Sequence, residues 1–104
     1  MPAISRDLRD LAKTGHGCTK VIPVKATQRS VIANGSAVLR PGDPLLPHTI
    51  LVCDGQDTCW CAGHLAVVNT GSRTVFAEGR PVARVGDSAD FGAMIQGSAN
   101  VFAG

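Results

Sequence analysis

The sequence predicts an all-β fold of short strands and tight turns, and two observations carry that expectation. Brief runs of Val, Ile and Ala are punctuated throughout by turn residues, with 12 glycines and 6 prolines in 104 residues. In addition, one hairpin-like segment is written twice. Laying RSVIANGSAVLRPGD (29–43) over RTVFAEGRPVARVGD (73–87) pairs Arg29/Arg73, Val31/Val75, Ala33/Ala77, Gly35/Gly79, Val38/Val82, Arg40/Arg84, Gly42/Gly86 and Asp43/Asp87 without a gap. Identity of that density marks a duplication of one supersecondary unit.

Each copy reads as a β-hairpin. SVIA turns at Asn34-Gly35 into SAVLR, and TVFA turns at Glu78-Gly79 into RPVARV. Glycine at the second turn position supplies the positive φ that a two-residue hairpin loop requires. A third copy is split across the termini. GSANVFAG (97–104) repeats the start of the unit and stops, while MPAISRD (1–7) echoes its return strand. The ends are therefore expected to meet and form the third side of a small cone or pyramid with pseudo-three-fold symmetry. A short helix over Arg6–Lys13 is the competing expectation for RDLRDLAK. It coexists with the split copy if the strand stops near Ser5.

At 44% hydrophobic residues the chain is globular and forms a single domain over 1–104. Its core is modest, as small domains bury a smaller share of their surface. The net charge of +2 is scattered, with neither a Lys/Arg cluster nor aromatic–basic interleaving, which argues against nucleic-acid binding. No apolar run is long enough to span a bilayer, and MPAISR lacks the apolar stretch of a secretory signal. Synthesis in the cytoplasm without a signal peptide is the expectation. It weakens a disulfide reading of the four cysteines.

The polar chemistry concentrates in CDGQDTCWCAGH (53–64), with three cysteines and a histidine. The three histidines, His16, His48 and His64, are each expected in a loop that follows a hairpin copy. In a three-sided body those segments emerge at one end, so distant imidazoles converge on one point, an arrangement suited to Zn²⁺. Cys61 stands three residues before His64, a CxxH spacing that lets one turn offer two ligands. Cys59-Trp60-Cys61 alternates as a strand would, with both thiols on one face and Trp60 on the other. Cys18, Cys53 and Cys59 are read as buried thiols by default, with spare ligands or one disulfide as alternatives. Asp54 and Asp57 are solvated turn formers. No Ser/His/Asp order, phosphate-binding glycine loop or HExxH motif is present.

GSRTVFAEGRPVARVGD followed by IQGSANVFAG closely resembles the PAAR-repeat family, whose members form the sharp tips of contractile injection machines, in phage tails and type VI secretion. The resemblance runs from TGHGC near the N-terminus to the C-terminus. It implies a small cone of short strands capping a trimeric β-helical spike, one tip per trimer, with a structural zinc near the apex held by three histidines and a cysteine. His16, His48 and His64 match the family's histidines. The family's cysteine, expected after the last Gly-Asp, is missing from GDSADFGAM, where Asp90 or Phe91 stands instead. Cys61 is the preferred replacement, since thiolate suits zinc; Asp90, Cys59, Cys18 and a water are the alternatives, and iron is an alternative metal.

The function so implied is non-enzymatic. The chain would be a monomer by itself, seated on the spike in a virion tail baseplate or extracellular apparatus, and touching the target outer membrane transiently. Ile32, Phe76 and Phe102, at matching places in the three copies, are the candidate spike contacts. Two other classes compete. One is a small zinc-binding interaction module; the other is a zinc hydrolase, in which three histidines and a water acidify the nucleophile. Four protein ligands would speak for a structural tip, and a bound water for chemistry.

Overall fold

A computed structural model describes residues 1–104. The chain is all-β, with strands β1 (Leu11–Lys13), β2 (Val21–Pro23), β3 (Ile32–Ala33), β4 (Ser36–Ala37), β5 (His48–Cys53), β6 (Cys59–His64), β7 (Phe76–Ala77), β8 (Arg80–Pro81), β9 (Ser88–Ala89) and β10 (Gly92–Met94). β3–β4, β5–β6 and β7–β8 are separate antiparallel hairpins, and β2-β1-β10-β9 is a four-stranded sheet. Arg6–Lys13 does not form the alternative helix. Leu8 takes φ 57, which breaks right-handed helical backbone, and Leu11–Lys13 pairs with β2 and β10 instead.

The two duplicated segments fold as the expected hairpins. Asn34 and Gly35 have φ 53 and 80, and Glu78 and Gly79 have φ 49 and 82. Two consecutive positive φ values are the signature of the I′ turn, whose twist matches that of the flanking strands. The split segment joins as well: Ala3 bridges Phe102, the Ile4 N–H donates to the Val101 carbonyl, and the Ala103 N–H donates to the Pro2 carbonyl.

Three backbone hydrogen bonds link the copies in a closed cycle. The Ser5 N–H donates to Ala83 (3.0 Å), the Ala83 N–H to Leu39 (2.7 Å), and the Leu39 N–H back to Ser5 (3.0 Å). Each copy leads into a turn closed by an Arg–Asp pair. The Asp43 carboxylate accepts the Arg40 N–H at 2.9 Å, Asp87 accepts that of Arg84 at 2.7 Å, and Asp10 accepts that of Arg6 at 2.7 Å. These carboxylates are buried yet satisfied, the condition under which a buried polar group is tolerated.

Two apolar clusters lie on either side of that cycle. One takes a pair of buried residues from each copy: Ala33 and Val38, Ala77 and Val82, Ala103 and Ile4. Small side chains are needed where three strand ends crowd together. The other gathers Leu39, Leu45, Val68, Met94 and Val24 with several alanines. Each large aliphatic there contributes about 1.5–3 kcal/mol by leaving water. Past this second cluster no apolar core remains. The β5–β6 hairpin runs on with its outer half exposed, and the molecule measures 47 × 23 × 22 Å.

Candidate metal centre

Register, not loop position, brings two of the histidines together. His48 opens β5 and His64 closes β6, and they are direct cross-strand partners. Such partners project from the same face with Cβ atoms about 4.5–5.5 Å apart, and their rings stand 5.0 Å apart. Both were expected in loops; they are strand residues. His16 comes from the β1–β2 loop, its ring 5.2 Å from that of His48 and 4.9 Å from that of His64.

The fourth group is Asp90, in the two-residue turn between β9 and β10, at φ 55. Aspartate tolerates this left-handed backbone better than most residues. Two glycines lock the turn against the His16 loop. A Cβ on Gly15 would stand 2.4 Å from the Phe91 carbonyl oxygen, and one on Gly92 2.0 Å from that of Lys13. Only hydrogen fits at either place. The Phe91 N–H then reaches the Thr14 carbonyl at 3.0 Å.

One Asp90 oxygen lies 2.8 Å from Nε2 of His16 and 2.9 Å from Nε2 of His48, and the other lies 3.0 Å from Nε2 of His64. The carboxylate is 2% exposed, the His48 side chain 1% and the His64 side chain 21%. Burial by itself pushes the Asp90 carboxyl up. The hydrogen bonds from His64, His16 and His48 outweigh it, with added attraction from His16, and hold it below the usual carboxylate range.

The ring orientations say which atoms are ligands. Nδ1 of His48 is 2.8 Å from the Leu46 carbonyl oxygen, and Nδ1 of His16 is 3.0 Å from that of Gly17. A carbonyl only accepts, so both Nδ1 atoms carry protons. In cationic rings Nε2 carries a proton as well and donates to Asp90; in neutral rings of this tautomer the Nε2 lone pairs face a carboxylate oxygen, which is repulsive unless positive charge lies between them. A divalent cation would supply that charge, and a backbone acceptor on the far nitrogen is the usual support of a ligating histidine. The four donor atoms lie within 4.8 Å of one another. Histidine nitrogens and a carboxylate oxygen are ligand types that zinc takes in fours, so the chemistry of the donor set is consistent with zinc. Three imidazoles and a carboxylate form a cluster able to hold a metal ion.

Cys61 does not belong to this cluster; its sulfur is bonded to Cys18. The CxxH spacing suggested a turn, but Cys61 and His64 lie on the extended strand β6. There, residues three apart point to opposite faces. Cys53 is bonded to Cys59, so no cysteine is free; Cys18, Cys53 and Cys59 are disulfide-bonded and solvent-exposed instead of buried thiols, and Cys61 is exposed as well. Asp90, held at sequence level as an alternative, takes the fourth position. With it the donor set is complete in protein atoms, unlike the three-histidine arrangement of a hydrolytic site. Phe91 borders the site, its ring stacked 6.1 Å from that of His64.

No curated protein shows a significant match to the chain. A family model described as the PAAR motif matches residues 11–97, which include all four donors of the cluster. That match spans most of the sequence, and the chain belongs to the PAAR-motif family.

Proposed function

We propose that this chain is the point of a contractile injection machine: a zinc-stapled cone that caps a trimeric β-helical spike, one copy per trimer, and leads it through the target outer membrane. PAAR-motif proteins are structural, not catalytic. The observation that carries the reading is the closed hydrogen-bond cycle Ser5–Ala83–Leu39. It supports three pseudo-equivalent copies, 29–43, 73–87 and 97–104 with 1–7, around one axis. A single chain built this way approximates the symmetry of a three-chain partner.

Ile32, Phe76 and Phe102, at corresponding places in the copies, are 52%, 55% and 47% exposed. Large apolar groups left outside the core at matched positions suit a three-part apolar seat on the spike. At the other end the apolar core runs out where the His/Asp cluster begins. A narrowing body lacks side chains enough for a core there, and a metal substitutes for one. Structural zinc contributes on the order of 10 kcal/mol to folding. Zinc suits the donor set better than iron, because four protein donors close the shell. The working location is the assembled baseplate or apparatus outside the cytoplasm, and the free chain is a monomer.

Mixing the protein with a trimeric β-helical spike protein, followed by gel filtration with mass determination, tests the reading. A complex of one cap and three spike chains, abolished by Phe76→Asp with Phe102→Asp, is the expected result. Absence of any complex with the wild type overturns it.

A further inference from the structure

The metal-centre reading leaves the two disulfides unexplained, and one of them bears on the cluster. Residues 15–20, which carry His16, contribute nothing to either apolar core. Hydrogen bonds hold the C-terminal end of the segment: the buried Thr14 hydroxyl donates to the Thr19 carbonyl (2.6 Å), the Thr14 N–H to that of Lys20 (2.9 Å), the Thr19 N–H to that of Thr49 (3.2 Å), and the Thr49 N–H to the Thr19 hydroxyl (3.1 Å). The Cys18–Cys61 bond is its covalent tie. That bond closes between Cα atoms 6.0 Å apart and 43 residues apart in sequence. Cys18 is two residues from His16 and Cys61 three from His64, so the cross-link ties two ligand-bearing segments on the face of β6 turned away from the ligands. Cys18 sits at φ 70, a backbone region that a non-glycine residue holds only when its surroundings impose it. Both cysteines are exposed to solvent and open to thiol–disulfide exchange. The second bond, Cys53–Cys59, closes the end of the β5–β6 hairpin away from His48 and His64, and it does not tie the segment that carries His16.

We propose that Cys18–Cys61 is an oxidation-closed latch on the metal centre. Closed, it keeps His16 at Asp90; open, it frees the 15–20 segment and the centre releases metal readily. Closure consumes a disulfide oxidant. One cysteine thiolate attacks a sulfur of RSSR and expels RS⁻, and the second cysteine attacks the mixed disulfide and expels another. Two electrons and two protons pass from the cysteine pair to give two RSH. A dithiol reductant reverses the sequence. The latch is thus open in a reducing compartment and shut in an oxidising one. It rests on the reading of the His/Asp cluster as a metal centre.

The test loads the oxidised protein with Zn²⁺ and follows its transfer to a chromogenic chelator, alongside amide hydrogen exchange at residues 15–19. Reduction with a phosphine, and the Cys18→Ser/Cys61→Ser variant, are expected to speed release about tenfold or more and to raise exchange at those amides. Cys53→Ser/Cys59→Ser, kept oxidised, is expected to match the wild type. Unchanged release and exchange in both the reduced wild type and Cys18→Ser/Cys61→Ser overturn the latch. If the oxidised wild type takes up no zinc, the metal-centre reading fails by itself. The latch is then judged on exchange alone: a rise on reduction keeps the mechanical clamp, and no change removes it.

Discussion

A Cβ added to Gly92 would stand 2.0 Å from the carbonyl oxygen of Lys13. The β9–β10 turn and the end of β1 approach so closely that no side chain fits between them. Gly92→Ala must displace one of two backbones, and both carry ligands, Asp90 and His16. The expected outcome is a loss of about 1–3 kcal/mol from overpacking together with weakened zinc binding. Gly63→Ala is the control, since nothing lies within 4 Å of its added Cβ; it should stay within about 0.5 kcal/mol of the wild type. Thermal melts of both variants with and without zinc check this.

His48 is the most enclosed of the three imidazoles. His48→Ala is expected to abolish stoichiometric zinc and to lower Tm by on the order of 10 °C or more. Chelator-treated wild type should fall by a similar amount, while adding chelator to His48→Ala should change little. Metal analysis with scanning calorimetry reads both effects.

Asp90 gives the site a definite acid dependence. Its folded-state carboxyl is held below the ordinary range, burial notwithstanding, by the three imidazoles. A depressed value means the group's contribution is fully present above the unfolded value of about 3.9 and is lost as pH falls through the folded one. In metal-free protein the stability gap between wild type and Asp90→Asn should therefore persist down to about pH 4 and close only in more acidic solution. Urea midpoints of the two proteins across pH 2–6 measure it.

Asp43 is fully buried, and its carboxylate accepts the Arg40 N–H at 2.9 Å and the Thr27 hydroxyl at 2.5 Å. Asp43→Ala strands both donors at the cycle that joins the copies. A destabilisation of about 1–3 kcal/mol per stranded group is expected. Asp43→Asn, which can still accept one bond, should lose less. Denaturant titration of the two variants distinguishes them.

Much of this architecture is legible in the sequence because it is repeated. Asn34-Gly35 and Glu78-Gly79 announce the same turn, and each Arg-x-Gly-Asp stretch folds as the same capped corner. The split copy shows in the echo between MPAISRD and the return strands. The three histidines converge as the repeat implies, though two of them do so as a cross-strand pair. What the sequence hid depends on register and pairing in space. Nothing local tells that Cys18 meets Cys61, since their partnership is made by the β1–β2 loop folding onto β6. Asp90 stood only among the alternatives to Cys61 because its role comes from a left-handed backbone aimed at groups far away in the chain. Cys61 misled for the opposite reason: a suggestive spacing has no meaning for shared ligation once the backbone is extended.

The meeting of residues 1 and 104 leaves it arbitrary which copy comes first. Ala103-Gly104-Met1-Pro2 occupies the place of Ala33-Asn34-Gly35-Ser36, with the Ala103 N–H already on the Pro2 carbonyl. A peptide bond from Gly104 to Met1, with glycine replacing Met1, would finish a two-residue loop without any added linker. The chain could then be cut open at Asn34-Gly35 or at Glu78-Gly79. Circular permutants with new ends at either place should reach the same fold, because the topology is a ring and only the covalent numbering gives it a start.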